Sequence, residues 1–196
     1  MPNKLVMVLS VAFLAVTSAY AASPEQPNSV PLDQNSLQTL IDNANKGDAN
    51  AQFDLGRCYY KGEGVPQDCN EAVKWWKKAA DQGYTEAHYN LGAAYGKLGR
   101  WQDEIESYKQ AIRIKPDYAE AYNNLGVAYH SLGRYQDAVE ACKQAIRIKP
   151  GYAEAHYNLG NAYLLSGDKG SALEEYKILK TLDAELANKL FNLIYK

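Results

Sequence analysis

Two stretches of 34 residues follow one another in this chain and align without gaps. They are residues 87–120 and 121–154, and 23 of the 34 aligned positions carry the same residue. A third stretch, 155–188, keeps the first half of the pattern and diverges in the second half. A repeat of this length is typical of a solenoid, in which each unit buries its apolar face against its neighbours.

Each stretch has the pattern of two helices joined by a tight turn. In the second copy, Leu125, Ala128 and Tyr129 recur at helical spacing. Gly133 then allows a positive φ that closes the first helix. Pro150 ends the second helix, because proline cannot continue one. The sequence therefore predicts an all-α fold of stacked helical hairpins.

The positions shared by the copies resemble the tetratricopeptide repeat (TPR) family. The matching residues of the second copy are Leu125, Gly126, Ala128, Tyr129, Gly133, Tyr135, Ala138, Ala145 and Pro150. The copies depart from the family pattern at Glu104, where a small residue is usual, and at Cys142, where an aromatic residue is usual. The third copy has Ala184 in place of the final proline.

Residues 51–86 begin in the same way but contain a longer loop, KGEGVPQD. This segment resembles the Sel1-like repeat, which is related to the TPR. The matching residues are Leu55, Gly56, Tyr59, Gly62, Gly64, Val65, Asp68, Ala72, Trp75, Ala79, Ala80, Gln82 and Gly83. The resemblance implies positive φ angles at the loop glycines, and Asp68 is well placed to cap the following helix.

The two resemblances together imply a right-handed α-solenoid of one Sel1-like and three TPR helix-turn-helix repeats, over residues 36–196. The expected segments are an N-terminal capping helix (36–50), the Sel1-like repeat (51–86), three TPRs (87–120, 121–154 and 155–188) and a C-terminal capping helix (189–196).

The N-terminal segment differs from the repeats. Lys4 precedes an apolar run over residues 5–16, and the small residues at 19–21 fit a signal-peptidase site. We therefore expect a signal peptide (1–21), followed by a disordered or extended polar leader with several prolines (22–35). An uncleaved membrane anchor is the alternative, although the run is short for a span. Export would place the mature chain in the periplasm of a Gram-negative-type bacterium or outside the cell.

Composition and motifs give no support for catalysis. The formal net charge is −2 and no basic block is present, so neither nucleic acid nor an anionic membrane surface is an expected partner. His88, His130 and His156 lack metal-ligand spacing, and no nucleophile–base set or phosphate loop is present. We expect a protein that is not an enzyme, with no cofactor and no metal. Some Sel1-like proteins have been proposed to act on β-lactams, so an enzyme of cell-wall or antibiotic chemistry is the less favoured alternative.

An asparagine stands immediately before each Leu-Gly pair, at Asn90, Asn124 and Asn158. Helix interiors do not favour asparagine, so its recurrence needs a reason. One amide per repeat would line the inner wall of a superhelix and offer donors and an acceptor to an extended peptide backbone. The resemblance points the same way, since this position contacts the ligand backbone in peptide-binding TPR proteins. The alternative is a structural bridge between adjacent helices.

The family's geometry adds neighbouring positions to this expected peptide-binding groove. They are Tyr89, Asn123, Tyr157, Asn161 and Lys97. Only Lys97 is basic, so the carboxylate clamp of chaperone adaptors is not expected. The predicted function is a non-catalytic scaffold that binds a peptide segment or a partner protein in its concave groove. Self-association through Leu- and Tyr-rich end faces is the alternative.

Three cysteines remain to be placed. A helical hairpin brings Cys58 near Cys69, and some exported Sel1-like proteins join their two helices by a disulfide. A Cys58–Cys69 disulfide is therefore one expectation. The other is that Cys58 is a small packing residue and Cys69 takes the place of an aromatic side chain. Cys142 is expected to be a buried free thiol.

We predict cleavage between Ala21 and Ala22, because an apolar run is followed by an A-x-A site. N-terminal sequencing of the protein purified from the periplasm should begin at Ala22. Intact Met1 on a membrane-bound protein would contradict the prediction.

Overall fold

The computed structural model of the protein describes residues 33–196, so the expected signal peptide and nearly all of the expected leader lie outside the described residues. The described residues form ten helices and no strand. They are α1 (Gln34–Asn45), α2 (Ala49–Lys61), α3 (Cys69–Asp81), α4 (Thr85–Lys97), α5 (Trp101–Ile114), α6 (Ala119–Ser131), α7 (Tyr135–Ile148), α8 (Ala153–Leu165), α9 (Lys169–Leu182) and α10 (Ala184–Ile194). Across 33–196, no helix has the length and apolarity that a membrane crossing requires.

The helices fall into two compact units, residues 33–107 and 108–196, and the division lies inside α5. In the first unit, α1 packs against α2, α2 against α3 and α3 against α4. In the second unit, α6 to α10 do the same, and α8 also contacts α6 and α10. The expected all-α architecture of helix-turn-helix repeats is confirmed in both units.

Aspartates and glycines determine where the helices begin and end. The Asp68 carboxylate accepts hydrogen bonds from the backbone N–H groups of Asn70 and Glu71, at 2.8 and 3.2 Å, as expected of an N-cap. Gly133 has a φ of +71° at the turn between α6 and α7, which also agrees with the sequence analysis. The cap and the turn therefore lie at the positions that the repeat pattern predicts.

The last helix starts earlier than expected. α10 begins at Ala184 rather than at residue 189, because the Asp183 carboxylate caps its first turn through the N–H groups of Glu185 and Leu186. Asp183 also ends α9, so one residue joins the two helices. At the other end, the segment expected as one capping helix contains α1 and the start of α2, which Asp48 caps.

The core of the first unit depends on a close approach at Gly56. The ring of Trp76, which is almost fully buried, lies directly over this glycine. A Cβ at residue 56 would lie 2.5 Å from Trp76 Cδ1. The ring cannot easily move, because its Nε1–H donates to the Phe53 carbonyl at 3.0 Å and it packs against Tyr60.

The second unit repeats this arrangement with different partners. A Cβ at Gly126 would lie 2.6 Å from the sulfur of Cys142, and one at Gly160 would lie 2.5 Å from Cδ2 of Leu190. Cys142 is buried and free, as expected, and burial raises the pKa of its thiol to about 12. Small residues on the first helix therefore admit a side chain of a neighbouring helix in both units.

We predict that Gly56→Ala destabilises the protein, because the added methyl overlaps the fixed ring of Trp76. Overpacking costs about 1–3 kcal/mol, and the better helix propensity of alanine offsets about 1 kcal/mol of it. We therefore expect a net loss of up to about 2 kcal/mol in the free energy of unfolding, measured by urea denaturation. Gly151→Ala is the control, because nothing lies within 4 Å of a Cβ there. Equal effects of the two substitutions would refute the packing argument.

Candidate functional site

The three recurrent asparagines lie on the first helix of their hairpins. Asn90 is on α4, Asn124 on α6 and Asn158 on α8, and all three side chains are buried. From the repeat pattern, these side chains were expected to line the inner wall of a superhelix. Because buried amides need hydrogen-bond partners, their surroundings determine what they can still bind.

In the second unit, one hydrogen bond joins asparagines of adjacent hairpins, and a second joins two neighbouring asparagines of α6. Asn158 Nδ2 donates to Asn123 Oδ1 at 2.9 Å, and Asn123 Nδ2 donates to Asn124 Oδ1 at 3.2 Å. The first of these bonds links α8 to α6. The asparagines of this unit thus make the structural bridge that the sequence analysis left open as an alternative. An amide has two donors and an acceptor oxygen with two lone pairs, so these bonds do not saturate Asn123 or Asn158.

Asn161 differs from its neighbours in having an unsatisfied oxygen. It lies one turn after Asn158 on the same face of α8, and its side chain is only 2% exposed. Its Oδ1 has no hydrogen-bond partner among the described residues. A buried polar atom without a partner costs about 1–3 kcal/mol and so calls for an explanation. Tyr157, on the same helix, is also buried, and burial raises the pKa of its phenol.

The remaining expected positions belong to the first unit. Tyr89 and Asn90 are buried on α4, while Lys97 at the end of this helix is exposed. The Lys97 ammonium lies 3.8 Å from the centroid of the Tyr60 ring, in cation–π geometry. The one basic side chain of the expected set is therefore held by an aromatic ring.

Two of the three histidines are buried and contact neighbouring groups. His130 is buried, and burial lowers its pKa to about 4. His156 Nδ1 is 2.6 Å from Glu175 Oε2, and Nε2 is 2.9 Å from the Pro150 carbonyl oxygen. Burial lowers the pKa of His156, but these contacts outweigh it, so the pKa lies above its ordinary value. Within the described chain, no group of three or more His, Cys, Asp or Glu residues could hold a metal ion.

The expected Cys58–Cys69 disulfide is not formed in the structure, where both cysteines are free thiols. Cys58 faces α1 and packs with Ala44 and Leu55. Cys69 instead packs against the apolar cluster that contains Trp76, between α2, α3 and α4. The two side chains therefore pack into separate clusters. Cys58 lies inside α2, and Cys69 is the first residue of α3. Burial raises the pKa of both thiols.

Two buried oxygens of the first unit were missed by the sequence analysis. The Tyr60 hydroxyl and Glu104 Oε2 have no hydrogen-bond partner within residues 33–196. Glu104 had been noted only as a departure from the family pattern. A comparison of the copies could have identified Glu104. The first copy has Glu104 with the small Gly96, whereas the other copies have alanine at the position of Glu104 and a larger residue at the position of Gly96.

Comparison with known repeats covers most of the described chain. A profile of the Sel1 repeat matches residues 49–84. Profiles of the tetratricopeptide repeat match residues 119–152 and 141–174, and a TPR repeat profile matches 97–133.

Solved structures with the same architecture are also similar. A crystal structure of MamA is 28% identical, with a TM-score of 0.67, covering 79% of this chain and 88% of that one. MamA (41-end) from Desulfovibrio magneticus RS-1 is 19% identical, with a TM-score of 0.69, covering 94% and 98%, and shows the fold alone. The TPR2B domain of yeast Sti1, solved as a complex with pHsp70, is 26% identical, with a TM-score of 0.54, covering 57% and 93%.

The stacked hairpins and these matches define a helical-repeat module of the class used for protein–protein interaction. The chain contains one Sel1 repeat (49–84) followed by tetratricopeptide repeats within residues 97–174.

We predict that all three thiols react with a thiol reagent after the non-reduced protein is denatured, because Cys58 and Cys69 pack into different clusters. In the native protein, Cys142 should react slowest, since it is fully buried and its pKa is raised to about 12. A count of one reactive thiol in denatured protein would contradict the structure. Cys142→Ser is the control that assigns the slow phase.

Proposed function

We propose that the protein is an exported, non-catalytic scaffold that holds an extended peptide segment by its main chain. The binding face would comprise the asparagines of α6 and α8. The observation that carries the proposal is the buried Oδ1 of Asn161, an acceptor without a protein partner. A peptide N–H is the complementary donor.

The chemistry of the face favours main-chain recognition over recognition of a charged group. Asn123, Asn158 and Asn161 are neutral, and each amide can both donate and accept, as a peptide backbone does. A carboxylate clamp needs two basic residues in the groove, whereas Lys97 is the one basic member of the expected set and its ammonium contacts the Tyr60 ring. The similar Sti1 domain was solved in complex with pHsp70, which supports peptide binding by this fold.

Export is part of the proposal and rests on the sequence of the first 21 residues, with its apolar run and A-x-A site. The mature chain would then act in the periplasm or outside the cell, on a peptide or protein partner.

We predict that Asn161→Ala weakens peptide binding without lowering stability. The first TPR has Ala93 at this position, so alanine fits the repeat. Loss of one neutral hydrogen bond corresponds to roughly a 2- to 12-fold rise in Kd. The melting temperature should stay the same or rise, because an unpaired buried oxygen is removed. The probe is a peptide selected from a random library on the immobilised mature chain, measured by fluorescence anisotropy.

Asn158→Ala is the matched control on the same helix. It removes the donor to Asn123 and should lower the melting temperature, since Asn123 Oδ1 then loses its partner. Methylating the peptide at each backbone nitrogen in turn should reveal one nitrogen whose methylation weakens binding to the wild type but not to Asn161→Ala. Selection of no peptide, or equal affinity of wild type and Asn161→Ala, would contradict the proposal.

Self-association is a second candidate, because large apolar side chains are exposed on the last two helices. Phe191 is 41% exposed and Tyr195 is 60% exposed. The centroids of their two rings are 4.6 Å apart. Ile178 and Leu182 on α9 are each 40% exposed. Light scattering on the mature chain separates the two candidates, since a monomer at every concentration excludes assembly as the main role.

A further inference from the structure

Glu104 is a buried carboxyl group without a compensating partner. It lies in the first turn of α5, its side chain is 5% exposed, and its Oε2 has no hydrogen-bond partner among the described residues. None of the ion pairs within residues 33–196 includes Glu104. Because a buried charge is normally paired, an ionised Glu104 would be costly here.

The space for this side chain is built into the hairpin. A Cβ at Gly96 of α4 would lie 2.9 Å from Glu104 Oε1, so a larger residue at position 96 would require the Glu104 carboxyl to shift. In the next repeat the sizes are reversed, with His130 at the position of Gly96 and Ala138 at the position of Glu104. The third repeat follows the second, with Leu164 and Ala172. The glycine and the glutamate therefore form a matched pair that is particular to the first TPR.

The charged and titratable groups around Glu104 do not neutralise it. Tyr60 on α2 interacts electrostatically with Glu104, and Cys69 on α3 with Tyr89 and Lys97 on α4 surround Tyr60. Arg100, just before α5, and Asp103 are the charged groups next to Glu104 in sequence. The Lys97 ammonium lies over the Tyr60 ring at 3.8 Å, and Arg100 pairs with Asp103 at 2.7 Å. Both nearby cations are thus engaged elsewhere. The Tyr60 hydroxyl, the other buried oxygen of this region, also has no hydrogen-bond partner among the described residues.

We propose that Glu104 is a proton-dependent latch: its neutral carboxyl fits between α4 and α5, and loss of its proton loosens this hairpin. The fit against Gly96 and the lack of a paired cation carry the proposal. In agreement with them, burial raises the pKa of the Glu104 carboxyl to about 8.

The effect of pH on stability has a definite sign. The pKa of Glu104 is higher in the folded state than in the unfolded chain, so the folded state retains a proton that the unfolded chain releases. The stabilisation is complete below the unfolded pKa, near the ordinary value of 4.5, and declines as pH rises to about 8. Above that pH both states are ionised, so this contribution levels off while the folded hairpin carries the charge.

Thermal unfolding of the mature chain from pH 5 to pH 9.5 tests the latch, with Glu104→Gln as the neutral variant of similar shape. Relative to Glu104→Gln, the wild-type Tm should fall by about 5–10 °C between pH 5 and 8 and then level off. His156 also titrates with a raised pKa, but it is present in both proteins and cancels in the difference. Glu106→Gln, an exposed change of the same charge on the same helix, should follow the wild type.

Two direct measurements complete the test. The side-chain carboxyl ¹³C resonance that disappears in Glu104→Gln should titrate with a midpoint near 8. Amide exchange in residues 85–107, corrected for its intrinsic pH dependence, should rise between pH 7 and 9 in the wild type only. If Glu104→Gln does not fold, Glu104→Ala replaces it, because alanine stands at this position in the other two repeats.

A carboxyl midpoint near 4.5, or parallel Tm profiles for wild type and Glu104→Gln, overturns the proposal. So does a midpoint near 8 with unchanged amide exchange, since the fold would then accommodate the charge. In that case the Tyr60→Phe variant identifies the reason. If amide exchange in residues 85–107 then rises between pH 7 and 9, the Tyr60 hydroxyl donates to the Glu104 carboxylate in the wild type.

Discussion

The fold depends on glycines in the first helix of each hairpin. At each of these glycines, a side chain from another helix approaches the backbone closely. At Gly56 the approaching group is an indole ring, at Gly126 a thiol and at Gly160 a leucine of the terminal helix. The glycines form a constant feature, and the side chains that fill the space above them differ from repeat to repeat. Dense packing of this kind transmits the size of one residue to its neighbour, so the repeats can diverge only in matched pairs. Gly96 and Glu104 are one such pair, with a polar group where the other copies have a methyl.

The asparagines lie on the same helices as these glycines. Their amides can form hydrogen bonds within the protein or remain available to a ligand. The hydrogen bond from Asn158 to Asn123 satisfies part of their polar capacity and joins adjacent hairpins. Complete satisfaction would leave nothing for a ligand, whereas exposure of every amide would weaken the contact between repeats. The second unit combines both states on one helix, since Asn158 is bonded within the protein and Asn161 Oδ1 is not. In the proposed mode of binding, the asparagines would both contact the peptide main chain and join the repeats, so both states would be needed on one helix.

Periodicity predicted the helices well because it reports on burial within one hairpin. The positions of Asp68, Gly133 and Pro150 predicted caps and turns for the same local reason. Burial of the asparagines could not be predicted, since it depends on how closely the next hairpin lies over the position before Leu-Gly. Proximity along the hairpin suggested the Cys58–Cys69 pair, but the two side chains leave their helices toward different neighbours. The start of α10 was misplaced because the repeat register was extended past Asp183, where a local cap takes precedence over periodicity.

The single-residue connection at Asp183 has a consequence for how this chain can change. A longer linker absorbs an inserted residue, but here any insertion becomes part of a helix. Each added residue turns an α-helix by about 100°. One such insertion within the first turn of α10 would carry Leu190 away from Gly160, and would expose a different face of the terminal helix. The C-terminal end of the array therefore has little tolerance for length variation, whereas the seven-residue connection from Gly62 to Asp68 in the Sel1 repeat can vary in length without rotating either of its helices.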